Sequence, residues 1–396
     1  MIDPLAWIDD EASEWSAKGL DRKLVSHGPA TPGRFVRDGR EFINFGANDY
    51  LGLAADPRLA EAARLAAETY GWGAGASPLV AGWTDIHQEL VEAIAAFEQT
   101  EAALLFPTGF AANLGTIAAL VGKGDAVYSD RLNHACLIDG TRLSGASVRV
   151  YPHNDAAKLA QILEREKGRF RRSMIVTDGV FSMDGDLAPL RELADLADQF
   201  GMMLMVDEAH GTGVFGSDGR GAASACGVGD RVQVKVGTLS KAIGSVGGFV
   251  AGPHRLINWL TNRARAHIYS TALPPAAAAA ALESLRILVA EPWRREHVQA
   301  LGTLLRERLT AAGLDVGGSA GPIVPVILGD VSTTVATAEK LLENGLYVPA
   351  IRPPTVPEGT ARLRISLSAA HGRADVDRLV ENLSSDDYRT PTHRSH

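Results

Sequence analysis

The stretch Met202–Gly211, MMLMVDEAHG, decides the fold class because a buried strand ends directly in polar residues. An uninterrupted apolar run bounded by a turn signal is typical of a strand covered on both faces, as in parallel sheets. In open α/β sheets, ligands bind beyond the carboxyl ends of the strands. Asp207 and His210 are therefore candidate ligand-binding residues.

Short apolar runs on both sides of this stretch alternate with helical patterns. They lie at Leu104–Phe106, Ala126–Tyr128, Val148–Tyr151, Met174–Thr177 and Val232–Val236. Such alternation indicates βαβ units around a mostly parallel sheet flanked by helices. We therefore predict an α/β fold.

The pattern changes after a predicted helix at Ala276–Leu288, where helices become longer and strands fewer. The later predicted strands are Ile323–Leu328, Leu346–Val348 and Ala361–Ser366. We read this change as a smaller C-terminal α+β domain. The predicted division is an N-terminal segment (1–45), a large domain (46–285), a small domain (286–384) and a disordered tail (385–396).

Composition narrows the function classes. The chain has 396 residues, is 46% hydrophobic and has a net charge of -8, which disfavours nucleic acid as a partner. Cys136 and Cys226 form no CxxC pair, so neither a disulfide framework nor a metal site is expected. Met1–Glu14 lacks the features of a secretory signal, and Ala276–Leu282 is too short to span a membrane. We expect a cytoplasmic protein without membrane contact.

A lysine follows the predicted strand Val232–Val236, in Gly237–Lys241, GTLSK. Pyridoxal phosphate needs a lysine as covalent anchor, a carboxylate beside its ring nitrogen and donors for its phosphate. Lys241 and Asp207 meet the first two needs, and His210 could bond the ring hydroxyl.

The phosphate has its own candidate site at Phe106–Phe110, FPTGF, where a strand turns into a helix. Backbone N–H groups at a helix N-terminus favour an anion. Thr238 and Ser240 could add hydroxyl donors.

Each of these residues has an ordinary structural explanation when it is taken singly. A lone lysine is usually solvated, Asp207 could cap a helix or a turn, and His134 or His210 alone would more often be structural. A strand-turn-helix at Gly109 occurs in many α/β proteins. Their joint occurrence in one α/β stretch carries the prediction.

The sequence resembles the α-oxoamine synthases, a family of fold-type-I pyridoxal-phosphate enzymes, over nearly the whole chain. The motifs that carry the resemblance are NDYLGL (48–53), PTGF (107–110), DRLNH (130–134), VFSMDGD (180–186), DEAHGTG (207–213) and TLSK (238–241).

The resemblance implies a role for each cofactor residue. His134 stacks on the ring and belongs to the catalytic and substrate-binding residues, and Ser182 and His210 bond the ring. Asp207 pairs with the ring nitrogen, while Lys241 anchors the cofactor and moves protons. The residues expected to hold the rest of the cofactor are Gly109, Phe110 and Thr238.

The substrate residues are also implied by the resemblance. Arg364 would grip the carboxylate of an amino acid, with Asn48 assisting. The segment Ile351–Pro357, IRPPTVP, resembles the members that condense L-alanine with pimeloyl-CoA, or its carrier-protein equivalent, for biotin synthesis. In those members Thr355 would contact substrate and Arg22 would face the far carboxylate of the acyl chain.

One departure from the family pattern lies in Gly73–Val80, GAGASPLV, where many relatives carry Ser-Arg. Pro78 removes a charge and an N–H group, which leaves the acyl-donor preference open. The family also implies a homodimer whose sites are completed by the partner chain.

The alternatives are a sibling condensation of glycine with acetyl-CoA or another acyl chain, an aminotransferase, and an inactive scaffold. A sphingolipid-type member would need an apolar acyl tunnel or membrane contact. Lys241, Asp207 and His210 argue against a scaffold, and the family motifs argue against an aminotransferase.

Overall fold

The computed structural model describes residues 3–22 and 24–384, so the predicted disordered tail at 385–396 lies outside the described residues. The strands are β1 (Ala30–Thr31), β2 (Arg34–Arg37), β3 (Arg40–Asn44), β4 (Ala102–Phe106), β5 (Ala126–Asp130), β6 (Ser147–Tyr151), β7 (Ser173–Asp178), β8 (Met203–Asp207), β9 (Val234–Thr238), β10 (Gly248–Gly252), β11 (Ile323–Gly329), β12 (Leu346–Tyr347), β13 (Ala350–Ile351) and β14 (Ala361–Ser366).

The helices alternate with these strands through the middle of the chain. They are α1 (Trp7–Ala17), α2 (Pro57–Tyr70), α3 (Asp85–Glu98), α4 (Gly109–Leu120), α5 (Ala135–Ser144), α6 (Ala156–Glu166), α7 (Leu190–Phe200), α8 (Ala222–Ala225), α9 (His254–Arg263), α10 (Arg265–Ile268), α11 (Pro275–Ala290), α12 (Trp293–Ala311), α13 (Val331–Glu343) and α14 (Arg373–Leu383).

The large sheet has the order β4-β10-β9-β8-β7-β5-β6 among the described residues. Its strands are parallel except β10, which runs antiparallel to both β4 and β9. The predicted fold class, a mostly parallel sheet flanked by helices with a smaller C-terminal α+β part, is confirmed. The sequence analysis did not predict β10.

Parallel pairing sets the strand ends that matter for ligand binding. Asp178 at the end of β7 pairs in register with Asp207 at the end of β8, and Asp207 pairs with Val236 of β9. The strands β8 and β9 therefore reach one and two residues further than predicted. Their carboxyl ends meet at one edge of the sheet, which is where ligands bind in such folds.

The N-terminal segment shares a sheet with the C-terminal part of the chain. The order is β1-β2-β3-β12, and Ile43 of β3 pairs in parallel with Leu346 of β12. A separate sheet, β11-β14-β13, carries Arg364 on its central strand. The domain bounds that we derived from the sequence stay a prediction.

The large sheet is covered on both faces. Met174, Ile175 and Val176 of β7 are completely buried, as expected for a strand covered by helices. The predicted alanine-rich helix lies within α11, which packs against α2 and α3. Within the described residues, no helix is both long and apolar enough to cross a membrane.

Candidate active site

A cavity of about 240 Å³ lies where the carboxyl ends of β7, β8 and β9 meet the N-termini of α4 and α5. Every predicted cofactor residue except Ser182 lines it. The lining residues are Thr108, Gly109, Phe110, Asn113, His134, Cys136, Asp178, Asp207, Ala209, His210, Thr238, Ser240 and Lys241.

Lys241 lies at the start of a chain of polar contacts. Its Nζ atom is 2.8 Å from Nε2 of His210, whose Nδ1 atom is 2.6 Å from the hydroxyl of Tyr50. Burial, reinforced by the charges of Lys241 and Arg364, holds the pKa of His210 well below its usual value. His210 is therefore neutral. It can accept a hydrogen bond from Lys241 at Nε2 and donate one to the Tyr50 hydroxyl from Nδ1.

Burial also lowers the pKa of Lys241, although the charges of Asp207 and Asp178 oppose this effect. A lowered pKa increases the share of neutral amine at physiological pH. The neutral amine is the form that can attack a carbonyl carbon or remove a proton. Lys241 thus has the environment that its predicted role requires.

Asp207 is held from two sides at the end of β8. Its Oδ2 accepts from the side-chain amide of Asn113 at 2.6 Å, and its Oδ1 accepts from the backbone N–H of Ala209 at 2.8 Å. Only 4% of the residue is exposed. These bonds fix the direction of the carboxylate, as pairing with a ring nitrogen would require.

His134 caps the N-terminus of α5. Its Nδ1 accepts from the backbone N–H of Cys136 at 3.3 Å and lies 2.9 Å from the Cys136 sulfur. Burial lowers the pKa of His134 despite the nearby charge of Asp207. The neutral ring therefore carries its proton on Nε2.

Asp178 also lines the cavity, and its Oδ2 accepts a hydrogen bond from the His134 backbone N–H at 2.7 Å. Burial, together with the charge of Asp207, raises the pKa of Asp178 well above its usual range. The protonated, neutral form of Asp178 is therefore favoured beside Asp207.

The end of the cavity suited to an anion lies at the start of α4. Thr108 caps this helix through its hydroxyl, which accepts from the Ala111 N–H at 3.0 Å. A Cβ atom on Gly109 would lie 3.1 Å from Cβ of Thr238, so the helix start and β9 approach closely. The first N–H groups of a helix have no partner within it and can bind a phosphate.

Arg364 lies behind Tyr50 and is 4% exposed. Its Nη1 donates to Oδ1 of Asn48 at 3.1 Å, and its Nη2 donates to the Tyr50 hydroxyl at 3.4 Å. Its Nε donates to the carbonyl of Ser182 at 2.5 Å. Arg364 and Asn48, the two predicted carboxylate-binding residues, are therefore linked through Tyr50 to His210 and Lys241.

Arg22 and Thr355 contact each other away from the cavity lining. Nη2 of Arg22 donates to the Thr355 hydroxyl at 3.3 Å, and Arg352 donates to the Asp21 carbonyl at 2.7 Å. These two bonds join residues more than 300 positions apart. Both predicted acyl-chain residues thus belong to one exposed surface formed by the N-terminal segment and the 351–357 loop.

Pro78, the departure from the family pattern, begins a short π-helical turn, Pro78–Gly82. A proline is tolerated there because the first N–H of a helix has no internal partner. Leu79 and Val80, which follow it, are 54% and 81% exposed.

The sequence analysis assigned no role to several residues that line or border the cavity. They are Tyr50, Asn113, Cys136 and Asp178. Asp178 directly follows the predicted strand Met174–Thr177, and Asn113 lies one helical turn after Gly109, so both had a detectable signal. Nothing local in the sequence marks Tyr50 as a bridge between His210 and Arg364.

The residues fit pyridoxal 5′-phosphate. One cavity contains a lysine of lowered pKa, a fixed carboxylate and two neutral imidazoles. It also contains a helix N-terminus that Gly109, which has no side chain, leaves accessible. The expectation of no metal stays a prediction, although the described part of the chain contains no cluster of His, Cys, Asp or Glu suited to a metal ion.

The sequence of this chain is similar to those of known proteins. Residues 40–383 match the family model for aminotransferase class I and II. The chain is 51% identical over 381 residues to an 8-amino-7-oxononanoate synthase of Anaeromyxobacter dehalogenans, covering 96% of this chain and 95% of that protein.

Three solved structures are similar in fold. The serine palmitoyltransferase of Sphingomonas wittichii has a TM-score of 0.92 at 34% identity, covering 97% of this chain and 98% of that one. A structure of SPT with a PLP internal aldimine has the same TM-score, identity and coverage. An 8-amino-7-oxononanoate synthase from Francisella tularensis has a TM-score of 0.75 at 32% identity, covering 87% and 97%.

Proposed function

The chain belongs to the class I and II aminotransferase family, and within it we propose the reaction of the 8-amino-7-oxononanoate synthases: condensation of L-alanine with a pimeloyl thioester, with loss of carbon dioxide. The observation that carries the proposal is the cavity that brings Lys241, Asp207, His134 and His210 together. The 51% identity to a synthase of that name supports the choice of substrates.

Three predictions from the sequence are confirmed by the comparisons. The fold is that of the fold-type-I pyridoxal-phosphate enzymes, the cofactor is pyridoxal 5′-phosphate, and the chain is an acyltransferase of the α-oxoamine synthase type. The roles of individual residues are our proposal.

When bound, pyridoxal 5′-phosphate supplies an electron sink that stabilises negative charge on the α-carbon of an amino acid. Lys241 would anchor the cofactor, then remove the α-proton and later return one. Asp207 would hold a positive charge on the ring nitrogen. His134, which caps the N-terminus of α5, would cover the ring face and donate from Nε2.

Arg364 would orient the amino acid. Its Nε and Nη1 atoms already bond Ser182, Asn48 and Ser366, which fixes the guanidinium. Nη2, which contacts Tyr50 only at 3.4 Å, is the group that would bind the carboxylate. Orientation decides which bond at the α-carbon breaks. The net reaction joins the α-carbon of alanine to the acyl carbon, breaks the thioester and releases the alanine carboxyl as carbon dioxide.

For the acyl donor, we propose a chain that ends in a carboxylate. Arg22 is a cation in contact with Thr355, and the 3.3 Å bond between them brings the two sequence-distant residues into one surface. Acyl groups on coenzyme A and on a carrier protein have the same reacting thioester, so both donors are compatible with this surface.

We also propose a homodimer and a cytoplasmic location. The large apolar side chain of Phe110, which lines the cavity, is 45% exposed in the single chain. Exposed apolar groups around a ligand site are typical of a surface that a partner chain covers.

The test combines purified protein and pyridoxal phosphate with L-alanine or glycine, each with pimeloyl-CoA, pimeloyl carrier protein or acetyl-CoA. Thiol release and product mass are recorded together. We expect turnover and the 8-amino-7-oxononanoate mass with alanine and a pimeloyl donor. Turnover only with glycine and acetyl-CoA would favour the sibling reaction, and keto acid formation without thiol release would indicate an aminotransferase.

A further inference from the structure

The loop between β7 and α7 is held at alternate residues by side chains from other parts of the chain. The contacts are Arg364 to the Ser182 carbonyl at 2.5 Å, Arg362 to the Asp184 carboxylate, and His153 Nε2 to Oδ2 of Asp186 at 2.8 Å. One of these side chains, Arg364, is the proposed carboxylate-binding residue. The position of this loop therefore helps to determine where the guanidinium of Arg364 lies.

His153 makes a second contact on its other ring nitrogen. Its Nδ1 lies 3.0 Å from Oδ1 of Asp130. Since both ring nitrogens face carboxylates, both donate and the ring is an imidazolium. Burial alone would lower the pKa of His153, but the bonds to Asp130 and Asp186 raise it to about 10.

Asp130 ends β5 and begins the turn that leads to His134. Its side chain is 1% exposed, and its Oδ1 also accepts from the Leu132 N–H at 2.8 Å. His153 thus connects the turn before His134 with the loop that contains Ser182. Neither His153 nor its two carboxylate partners line the cofactor cavity.

We propose that His153 is a positioning residue that, by bridging Asp130 and Asp186, fixes the loop on which Arg364 is anchored and so strengthens binding of the amino-acid carboxylate. The inference rests on the proposed function only in taking Arg364 as the carboxylate-binding residue. It does not depend on which amino acid or acyl donor the enzyme uses.

Asn154 explains why the bridge can be weakened without unfolding the loop. Its backbone N–H donates to Oδ2 of Asp130 at 2.8 Å, and its side-chain amide donates to Oδ2 of Asp186 at 2.8 Å. Neither bond involves His153. We therefore expect a displaced loop rather than a lost one.

The experiment titrates the holoenzyme with L-alanine, glycine, L-serine and ethylamine while the absorbance of the bound cofactor is followed. Ethylamine is alanine without its carboxylate, so it reports binding that does not involve Arg364. The variants are His153→Gln and Asp186→Asn. Arg149→Gln is the matched control. Arg149 lies on β6, the strand that leads to His153, and this substitution removes its half-buried ion pair with Glu166.

We expect His153→Gln to weaken alanine binding roughly tenfold, equivalent to about 1.4 kcal/mol, and to leave ethylamine binding within about twofold of the wild type. Asp186→Asn should show the same selectivity with a smaller loss, and Arg149→Gln should change neither ligand. If His153→Gln does not fold, Asp186→Asn carries the test alone.

Equal weakening of alanine and ethylamine, or no change in either, would overturn the inference. If glycine or serine binds the wild type and alanine does not, the proposed substrate is wrong. The loss for that amino acid relative to ethylamine then still tests His153.

Discussion

Nζ of Lys241 lies 2.8 Å from Nε2 of His210, and the imidazole in turn contacts the Tyr50 hydroxyl at 2.6 Å. A consistent assignment has Lys241 donating to His210, His210 donating to Tyr50, and Tyr50 donating to Asn48 at 3.1 Å. The same Asn48 oxygen accepts from Arg364. The proposed proton-transfer residue and the proposed carboxylate-binding residue therefore belong to one hydrogen-bonded chain.

Lys241→Ala should remove both the covalent anchor and the proton-transfer group. We expect turnover to fall by about 10³-fold or more. After borohydride reduction, peptide mass mapping should find the cofactor on the Lys241 peptide of the wild type. The exposed Lys158→Ala variant is the control and should keep both label and activity. Cofactor attached to another lysine would refute the assignment.

Asp207→Asn should reduce turnover far more than stability. Without the carboxylate, a positive charge on the ring nitrogen is no longer favoured, and kcat should fall by roughly 10²- to 10³-fold. Within the described residues, the Asn113 side-chain oxygen has no hydrogen-bond partner. It can rotate to accept from the new amide, so we expect the free energy of unfolding to change by less than about 1 kcal/mol. Kinetics and urea unfolding of the same preparation separate the two effects.

Arg22→Gln should affect only acyl chains that end in a carboxylate. We expect kcat/KM for pimeloyl-CoA to fall by roughly tenfold, the value of a lost charge-assisted hydrogen bond. Heptanoyl-CoA has the same chain length without the far carboxylate and should be unaffected. Arg37→Gln, in the same N-terminal segment, serves as the control. Equal losses with both thioesters would place Arg22 away from the acyl terminus.

Acid should destabilise the protein through His371. Burial lowers the pKa of His371 to about 4, whereas the unfolded chain has the ordinary histidine value near 6.5. Below pH 6.5 the unfolded state therefore binds the proton first, so stability falls as the pH drops from about 6.5 to 4, by about 3 kcal/mol for this group.

The measurement is urea unfolding at several pH values between 4 and 8. His371→Asn keeps an acceptor for the Ser368 N–H that now donates to the imidazole at 3.1 Å, and this variant should have a shallower pH dependence. His254→Gln removes an exposed ring and should retain the wild-type slope. An unchanged slope in the His371 variant would show that other groups cause the acid sensitivity.

The cofactor cavity could be predicted from sequence because its residues follow strands or begin helices within short motifs. Lys241, Asp207 and the Gly109 turn are of this kind. Parallel register brings the ends of β8 and β9 together, and the antiparallel strand β10 between β9 and β4 brings the Gly109 turn beside them. Strand β10 was missed because glycines at both of its ends are unfavourable in strands. Its close approach requires them: a Cβ on Gly248 would lie 2.6 Å from Cα of Gly109.

The contacts that position the substrate residues could not be predicted in the same way. Tyr50 meets His210 across 160 residues, and Arg364 meets the Ser182 carbonyl across 182. The first contact depends on how the segment between β3 and α2 packs at the end of β8, and the second on how β14 packs beside the loop after β7; no local pattern encodes either. The predicted bond from Ser182 to the cofactor stays a prediction, because Ser182 lies outside the cavity lining and contacts Arg364 through its backbone.

The central claim is that the enzyme joins alanine to an acyl thioester and releases the carboxyl carbon. The direct test supplies [1-¹³C]- or [3-¹³C]-L-alanine with pimeloyl-CoA and follows labelled carbon dioxide and product mass together. We predict that carbon 1 appears only as carbon dioxide, in equal amount to the released thiol, and that carbon 3 appears only in the condensed product. A product that retains carbon 1, or labelled pyruvate in place of a condensed product, would contradict the account.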